Sequence, residues 1–226
     1  MTDEIASNLA RVLATIATAT AKAGRKRDEV QLIAVSKKQG TEKVRAAFDA
    51  GQPLFGESRV QEARAKVPLL PGAVRWHFVG HLQKNKIRHA LPLFEMFHSV
   101  DSVALAEELQ RIGDEDGVRP RVLLEVNSAG EASKIGFSPD ALRTHMAALL
   151  ALSRIEIEGL MTIPPLAPEP ENSRRYFASL RELRDQLQRE FSVPLPQLSM
   201  GMSNDYTVAI EEGATMVRVG TAIFGQ

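Results

Sequence analysis

The chain has 226 residues, enough for one domain to bury a large core. Its 28 basic residues balance 28 acidic ones, so the net charge indicates neither nucleic acid nor a membrane surface as a partner. Cysteine is absent, which excludes a disulfide framework, a cysteine zinc site and a thiol nucleophile. This composition fits a reducing compartment, and we expect a cytoplasmic protein.

The first segment is predicted to form an amphipathic helix rather than a targeting sequence. Its apolar residues recur at helical spacing: Ile5, Leu9, Val12, Leu13 and Ile16. Asp3 and Glu4 stand where a signal peptide carries basic residues, and Arg11 interrupts the apolar stretch. No run reaches the ~18 apolar residues that a transmembrane helix needs. The sequence therefore predicts no membrane segment.

Strand and helix patterns alternate along the rest of the chain. Eight short apolar runs are predicted strands: 31–37, 53–58, 75–80, 96–100, 121–127, 155–163, 197–202 and 216–220. Helical patterns separate them, which predicts a parallel sheet covered by helices. Eight strands favour a closed (β/α)8 TIM barrel, a single domain over residues 1–226, with the first helix as an extra cap under the barrel. An open doubly wound sheet is the alternative.

The loops after the last two predicted strands carry residues suited to phosphate. Active sites of such barrels lie at the carboxyl ends of the strands, and the last two loops often bind phosphate. Ser203 follows strand seven as a candidate N-cap, and Gly220 and Thr221 follow strand eight at the start of a short helix. Free backbone N–H groups at both places would suit a dianion. The alternative is ordinary turn glycines with ordinary helix caps.

The stretch VQLIAVSKKQG (30–40) is a predicted strand that ends in two adjacent lysines. Alternation places Ile33, Val35 and Lys37 on one face of the strand and Lys38 on the other. We predict that Lys37 faces the barrel mouth, since Lys38 can reach water from the helix layer. Partial burial would favour a neutral amine able to attack a carbonyl. Such an amine opposite a phosphate site is what an aldehyde-bearing phosphate cofactor requires, whereas the alternative is an exposed lysine without chemistry.

Arg218 is predicted to point into the barrel just below the loop after strand eight. Alternation in MVRVG aligns it with Met216 and Gly220 on the inward face. Facing a pyridine nitrogen, an arginine can only donate a hydrogen bond, so that the ring nitrogen would stay unprotonated. A structural ion pair of Arg218 with Glu57 or Glu125 is the competing explanation.

Several motifs resemble those of one known family, and they occur in order over nearly the whole chain. They are AVSK (34–37), FGE (55–57), VQE (60–62), WHFVGHLQKNK (76–86), SKIG (133–136), EGLMTI (158–163), LSMGMSND (198–205) and TMVRVGTAIFG (215–225). The family is that of the pyridoxal phosphate homeostasis (YggS/PROSC) proteins, which are related to the barrel domain of alanine racemase. One departure is Ser58, where the family usually has an asparagine after FGE.

The resemblance implies a (β/α)8 barrel that holds pyridoxal 5′-phosphate (PLP) as an internal aldimine with Lys37. It also implies that Ser203, Gly220 and Thr221 hold the phosphate and that Arg218 faces the ring nitrogen. Members of the family resemble carriers or buffers of the cofactor in vitamin B6 and amino-acid homeostasis. Recipients would be apo forms of PLP-dependent enzymes, and we expect a monomer. Lys134 is a candidate for a second cofactor or anion contact.

The tyrosines of the chain bear on whether it is a carrier or an enzyme. A racemase using this cofactor needs bases on both faces of the substrate, and in alanine racemase the second base is a tyrosine from another domain. Here the tyrosines are Tyr176, predicted on an outer helix, and Tyr206, early in the helix after strand seven. We therefore expect a carrier with at most slight racemase-like activity. An amino-acid racemase and a Schiff-base aldolase-type barrel remain the alternatives.

Overall fold

Eight parallel strands close into a barrel in chain order in the computed structural model, which describes residues 2–130 and 135–225. The strands are β1 (Gln31–Val35), β2 (Leu54–Glu57), β3 (Arg75–Phe78), β4 (Met96–Val100), β5 (Arg121–Glu125), β6 (Glu156–Met161), β7 (Gln197–Ser199) and β8 (Met216–Val219). β1 pairs with both β2 and β8, which closes the ring. The predicted TIM barrel is confirmed, and the open doubly wound sheet is wrong.

Helices follow the strands around the outside of the barrel. The α-helices are α1 (Thr2–Lys22), α2 (Thr41–Asp49), α3 (Val60–Lys66), α4 (Ile87–Ala90), α5 (Val103–Glu115), α6 (Pro139–Leu150), α7 (Arg174–Phe191), α8 (Tyr206–Glu211) and α9 (Thr221–Phe224). Short 3-10 helices lie at Arg27–Glu29, Val67–Leu69, Lys84–Lys86 and Pro170–Ser173. Within the described ranges, no helix combines the length and the hydropathy that crossing a bilayer would require.

The sheet separates two apolar layers, as alternation along each strand requires. The barrel interior holds a small buried cluster of Ile33, Leu54, Met96, Leu123, Met161 and Met216, with Val35 packed against it. The opposite faces of the strands, including Leu32 and Ala34, pack under the helices in a much larger cluster. Buried polar side chains lie beside this cluster, since Ile33 pairs with Arg218 and Met96 with His77.

Helix α1 lies along the side of the barrel, so the predicted cap underneath it is wrong. It contacts α2, α8 and α9. Near its start, Asn8 Nδ2 donates to Ile223 O in α9 over 3.1 Å; just beyond its end, Arg25 Nη1 donates to Ala214 O before β8 over 2.8 Å. The cause is the brevity of α9, which has four residues and leaves room for α1 in the outer ring.

Candidate functional site

The loops after β7 and β8 meet at one side chain. Ser203 Oγ accepts hydrogen bonds from Gly220 N over 3.3 Å and from Ala222 N over 3.4 Å. Ser203, Gly220 and Thr221, predicted to form one site, are therefore brought together, with Thr221 opening α9. The predicted N-cap role of Ser203 is wrong, since α8 begins three residues later at Tyr206, and the serine binds the other loop instead.

Two glycines allow these loops to approach the rest of the barrel. Gly201 has a left-handed φ of +89°, and a Cβ built on it would lie 2.5 Å from Ala209 Cβ. A Cβ on Gly220 would lie 3.0 Å from Val35 O. The end of β8 consequently lies against the end of β1, next to the turn that carries Lys37.

Lys37 lies in the turn that follows β1, and its side chain is exposed. The strand ends at Val35, two residues earlier than predicted. Ser36 N still donates to Gly56 O of β2, but the chain then turns, with Gln39 N bonded to Ser36 O. Ile33 and Val35 face the barrel interior as predicted. The expected partial burial of Lys37 is wrong, and strand alternation does not extend to this residue.

Arg218 is buried in the barrel interior, as predicted, with 4% of its surface exposed. Its Nη1 donates to Ser199 Oγ over 2.5 Å and its Nη2 to Thr162 O over 2.9 Å. Burial lowers the pKa of Arg218 to about 10, although the carboxylates of Glu125 and Asp205 favour the charged form. Arg218 therefore stays cationic at neutral pH, held by neutral acceptors. In the described part of the chain it has no ion-pair partner within salt-bridge distance.

The ion pair of Arg218 with Glu57, weighed as an alternative, is wrong. Glu57 is buried on the outer face of β2, where its Oε1 accepts from Lys66 Nζ of α3 over 2.6 Å. Glu125, the other candidate partner, has a carboxyl whose pKa burial raises to about 7, with the charge of Asp101 acting in the same direction and Arg218 opposing it. Glu125 thus interacts with Arg218 by long-range electrostatics and not by a direct hydrogen bond.

A chain of buried polar side chains crosses the barrel interior from β3 to β8. His77 Nδ1 lies 2.9 Å from His98 Nε2, and His98 Nδ1 lies 2.8 Å from Ser199 Oγ, which accepts from Arg218. Since Arg218 occupies a lone pair of Ser199, the serine hydroxyl can donate to His98 Nδ1. The chain fixes the orientation of the guanidinium from three other strands.

Both imidazoles of this chain are neutral at physiological pH. Burial lowers the pKa of His77 to about 4 and that of His98 well below its ordinary value, and Arg218 adds to the latter. Because each pKa is lower in the folded protein than in the unfolded chain, the unfolded chain binds more protons between about pH 6.5 and 4. The free energy of unfolding should therefore fall as the pH falls through this window.

Replacing His77 with leucine is expected to reduce the fall in the free energy of unfolding at low pH. The unchanged protein should lose about 3 kcal/mol more than His77→Leu between pH 7 and pH 4, from the shift of one histidine. Urea unfolding of both proteins at several pH values measures the difference. Glu125, whose raised pKa acts in the opposite sense, is present in both proteins, so that its contribution cancels. Parallel pH curves would contradict the assignment of a buried neutral His77.

His98, Ser199 and Lys66 were missed by the sequence reasoning, and His77 was treated as packing. The two histidines could have been predicted from strand alternation. His98 lies on the same face as the inward Met96, and His77 lies between the outward Trp76 and Phe78, so both point into the barrel. Tyr206 packs in the outer apolar cluster and Tyr176 lies on α7, under the guanidinium of Arg175. Lys134 lies outside the described residues.

The fold defines a class: TIM-barrel proteins, here with the loops after the last two strands meeting at a serine and a lysine in the turn after the first strand. Residues 7–226 match the family model of the alanine racemase N-terminal domain. The "Pyridoxal phosphate homeostasis protein" of Aquifex aeolicus is 44% identical over 96% of both chains, and that of Escherichia coli K12 is 37% identical over 99% of this chain and 97% of its own.

Solved structures agree with these matches. PipY of Synechococcus elongatus PCC7942, determined with PLP bound, has a TM-score of 0.85 and 41% identity, and covers 98% of this chain and 100% of its own. Alanine racemase of Clostridium difficile 630 shares the fold at a TM-score of 0.76 and 17% identity, and this chain matches 57% of it. The chain belongs to the pyridoxal phosphate homeostasis family, whose barrel is the alanine racemase N-terminal domain.

Proposed function

We propose that this protein binds PLP at the mouth of the barrel, with the Lys37 amine as its attachment point, and carries or buffers it in vitamin B6 and amino-acid homeostasis. The observation that carries the proposal is the meeting of the β7 and β8 loops at Ser203, beside a buried Arg218. A relative with the same barrel at 41% identity has PLP bound. When bound, the cofactor would supply an aldehyde for the amine and a pyridine ring as an electron sink.

The residues present fit the two ends of this cofactor. Ser203, Gly220 and Thr221 would hold the phosphate, since the Ser203 hydroxyl, which accepts from Gly220 N and Ala222 N, brings the two loops to one place. Arg218 would donate to the ring nitrogen, and its pKa of about 10 keeps it a donor at neutral pH. The exposed Lys37 amine would lie at the mouth, open to incoming and departing carbonyl groups.

Two features favour a carrier over a racemase. An arginine that donates to the ring nitrogen leaves this nitrogen unprotonated and so weakens the ring as an electron sink. A racemase also needs a second base, and Tyr206 is buried in the outer apolar cluster while Tyr176 lies on the outer helix α7. Recipients of the cofactor would be apo forms of PLP-dependent enzymes. We further propose a monomer that acts in the cytoplasm.

Transfer of the cofactor tests this function directly. The purified protein should take up PLP with a visible absorbance band that borohydride bleaches, and then restore activity to an apo PLP-dependent enzyme. The same preparation should release no D-amino acid from an L-amino acid at a useful rate. Rapid formation of the D-amino acid would favour the racemase, and failure to take up PLP would contradict binding altogether.

Replacing Ser203 with alanine is expected to weaken phosphate binding without unfolding the barrel. The change removes the oxygen that holds Gly220 N and Ala222 N, so that the β8 loop loses its link to the β7 loop. Loss of such hydrogen bonds corresponds to about a tenfold weaker affinity for PLP. The affinity is measured by competition between PLP and inorganic phosphate. Ser138→Ala, which removes the N-cap hydroxyl of α6, is the control for a lost hydroxyl. Equal affinities in Ser203→Ala and the unchanged protein would contradict the assignment.

A further inference from the structure

A buried ion network lies directly behind the turn that carries Lys37. Lys66 Nζ, from the end of α3, contacts three acceptors: Glu57 Oε1 at 2.6 Å, Ser36 O at 2.9 Å and Glu62 Oε1 at 3.1 Å. Ser36 Oγ also donates to Glu57 Oε1 over 2.7 Å. Ser36 and Glu57 are fully buried, and Lys66 is 5% exposed. The residue before Lys37 is therefore bonded through both its hydroxyl and its carbonyl group.

The residue after Lys37 is held by the same network. Lys38 has a left-handed φ of +63°, a conformation that non-glycine residues rarely adopt and that costs about 1 kcal/mol or more. Its backbone N–H donates to Glu62 Oε1 over 2.6 Å, and that same oxygen accepts from Lys66. Glu62 thus joins the strained position to the buried cation.

We propose that Glu57, Glu62 and Lys66 are positioning residues that set the direction of the Lys37 amine, an inference that rests on the proposed function. Ser36 and Lys38, the two neighbours of Lys37, are each bonded to this network, whereas the Lys37 side chain has no hydrogen bond to any described residue. Both neighbours of Lys37 are therefore held by the network, which fixes the course of the turn. Pre-organisation of this kind lowers the cost of forming a bond at the amine.

The barrel contains another ion pair with a buried carboxylate, that of Arg121 with Glu158, which lies away from the turn that carries Lys37. Arg121 and Glu158 pair at the amino-terminal end of the barrel, with Arg121 Nη2 donating to Glu158 Oε2 over 3.0 Å. The pair joins β5 to β6, near the strand ends opposite the turn that carries Lys37. Glu158→Ala therefore serves as the control for the loss of one ion-paired carboxylate away from this turn.

The test compares Glu62→Ala, Glu62→Gln and Glu158→Ala with the unchanged protein. Glu62→Ala leaves the Lys66–Glu57 pair in place, so the fold should survive. Without any ligand, amide hydrogen exchange at Lys38 should become about tenfold faster in Glu62→Ala, because its N–H loses its acceptor. Glu62→Gln keeps an oxygen that can accept this N–H and should restore most of the protection. Glu158→Ala should leave exchange at Lys38 unchanged.

Affinities for two ligands then distinguish a loss of Lys37 positioning from general damage to the binding site. Affinity for PLP should fall about 5- to 10-fold in Glu62→Ala, whereas affinity for pyridoxine 5′-phosphate, which has no aldehyde to meet the amine, should not change. Equal losses for the two ligands, no loss for PLP, or the same loss in Glu158→Ala would overturn the inference. If the unchanged protein forms no borohydride-stable adduct at Lys37, the proposed function itself fails, an outcome distinct from these three.

Discussion

Replacing Lys37 with alanine is expected to abolish covalent attachment of PLP and to leave a weaker, reversible complex. The amine of Lys37 is the group proposed to meet the aldehyde, while the proposed phosphate contacts at Ser203 and Gly220 lie in other loops and should persist. Two or three charge-assisted hydrogen bonds of about 1.5–3 kcal/mol each correspond to a Kd between about 6 mM and about 0.3 μM. The visible absorbance band of the bound cofactor should disappear.

The control for this change is Lys84→Ala. Lys84 is an exposed lysine in the loop that follows β3, at the same end of the barrel. It should retain both the absorbance band and the affinity of the unchanged protein. A borohydride-stable adduct that persists in Lys37→Ala would show that another amine, with Lys38 the nearest, carries the cofactor.

Replacing Arg218 with methionine is expected to weaken PLP binding strongly while costing little stability. The guanidinium is desolvated without an ion pair in the described structure, and its lowered pKa corresponds to about 3 kcal/mol of destabilisation of the charged form. This penalty offsets the two hydrogen bonds to Ser199 and Thr162 that the variant loses. The free energy of unfolding should therefore change by only about 1 kcal/mol, whereas affinity for PLP should fall about 100-fold with the loss of the donor to the ring.

Lys66→Met provides the contrast for stability. It removes the cation from a buried pair and leaves Glu57 without its partner, which typically costs about 3–5 kcal/mol. Urea unfolding of the two variants without ligand, together with titration by PLP, separates the two cases. If Arg218→Met is as unstable as Lys66→Met, Arg218 is a structural residue and its proposed contact with the ring loses its support.

The barrel could be predicted from the sequence because its signal is local. A run of apolar residues predicts each strand, and alternation within the run predicts which side chains face the barrel interior. Ile33 and Met216, both in the interior cluster, confirm this. Arg218 followed from the same rule, because it lies within a regular strand, where the period of two holds. The loops at Ser203 and Gly220 were predicted instead from the tendency of the last two loops of such barrels to bind phosphate.

Alternation did not extend beyond the strand ends. Lys37 and Lys38 lie in a turn whose course depends on Glu62 and Lys66, which are 24 or more residues later than Lys38 in the sequence. The polar chain from His77 through His98 to Ser199 likewise joins three strands, with 101 residues between its last two members. The residue pattern of a single segment cannot predict contacts between distant segments, because the partners come together only when the barrel closes.

Peptide mapping of the protein after incubation with PLP and reduction by borohydride tests the attachment of PLP at Lys37 most directly. We expect one pyridoxyl group per chain, on the peptide that contains Ser36, Lys37 and Lys38, with fragmentation placing it on Lys37. An adduct on Lys38, on a lysine outside this turn, or on no lysine at all would contradict this assignment.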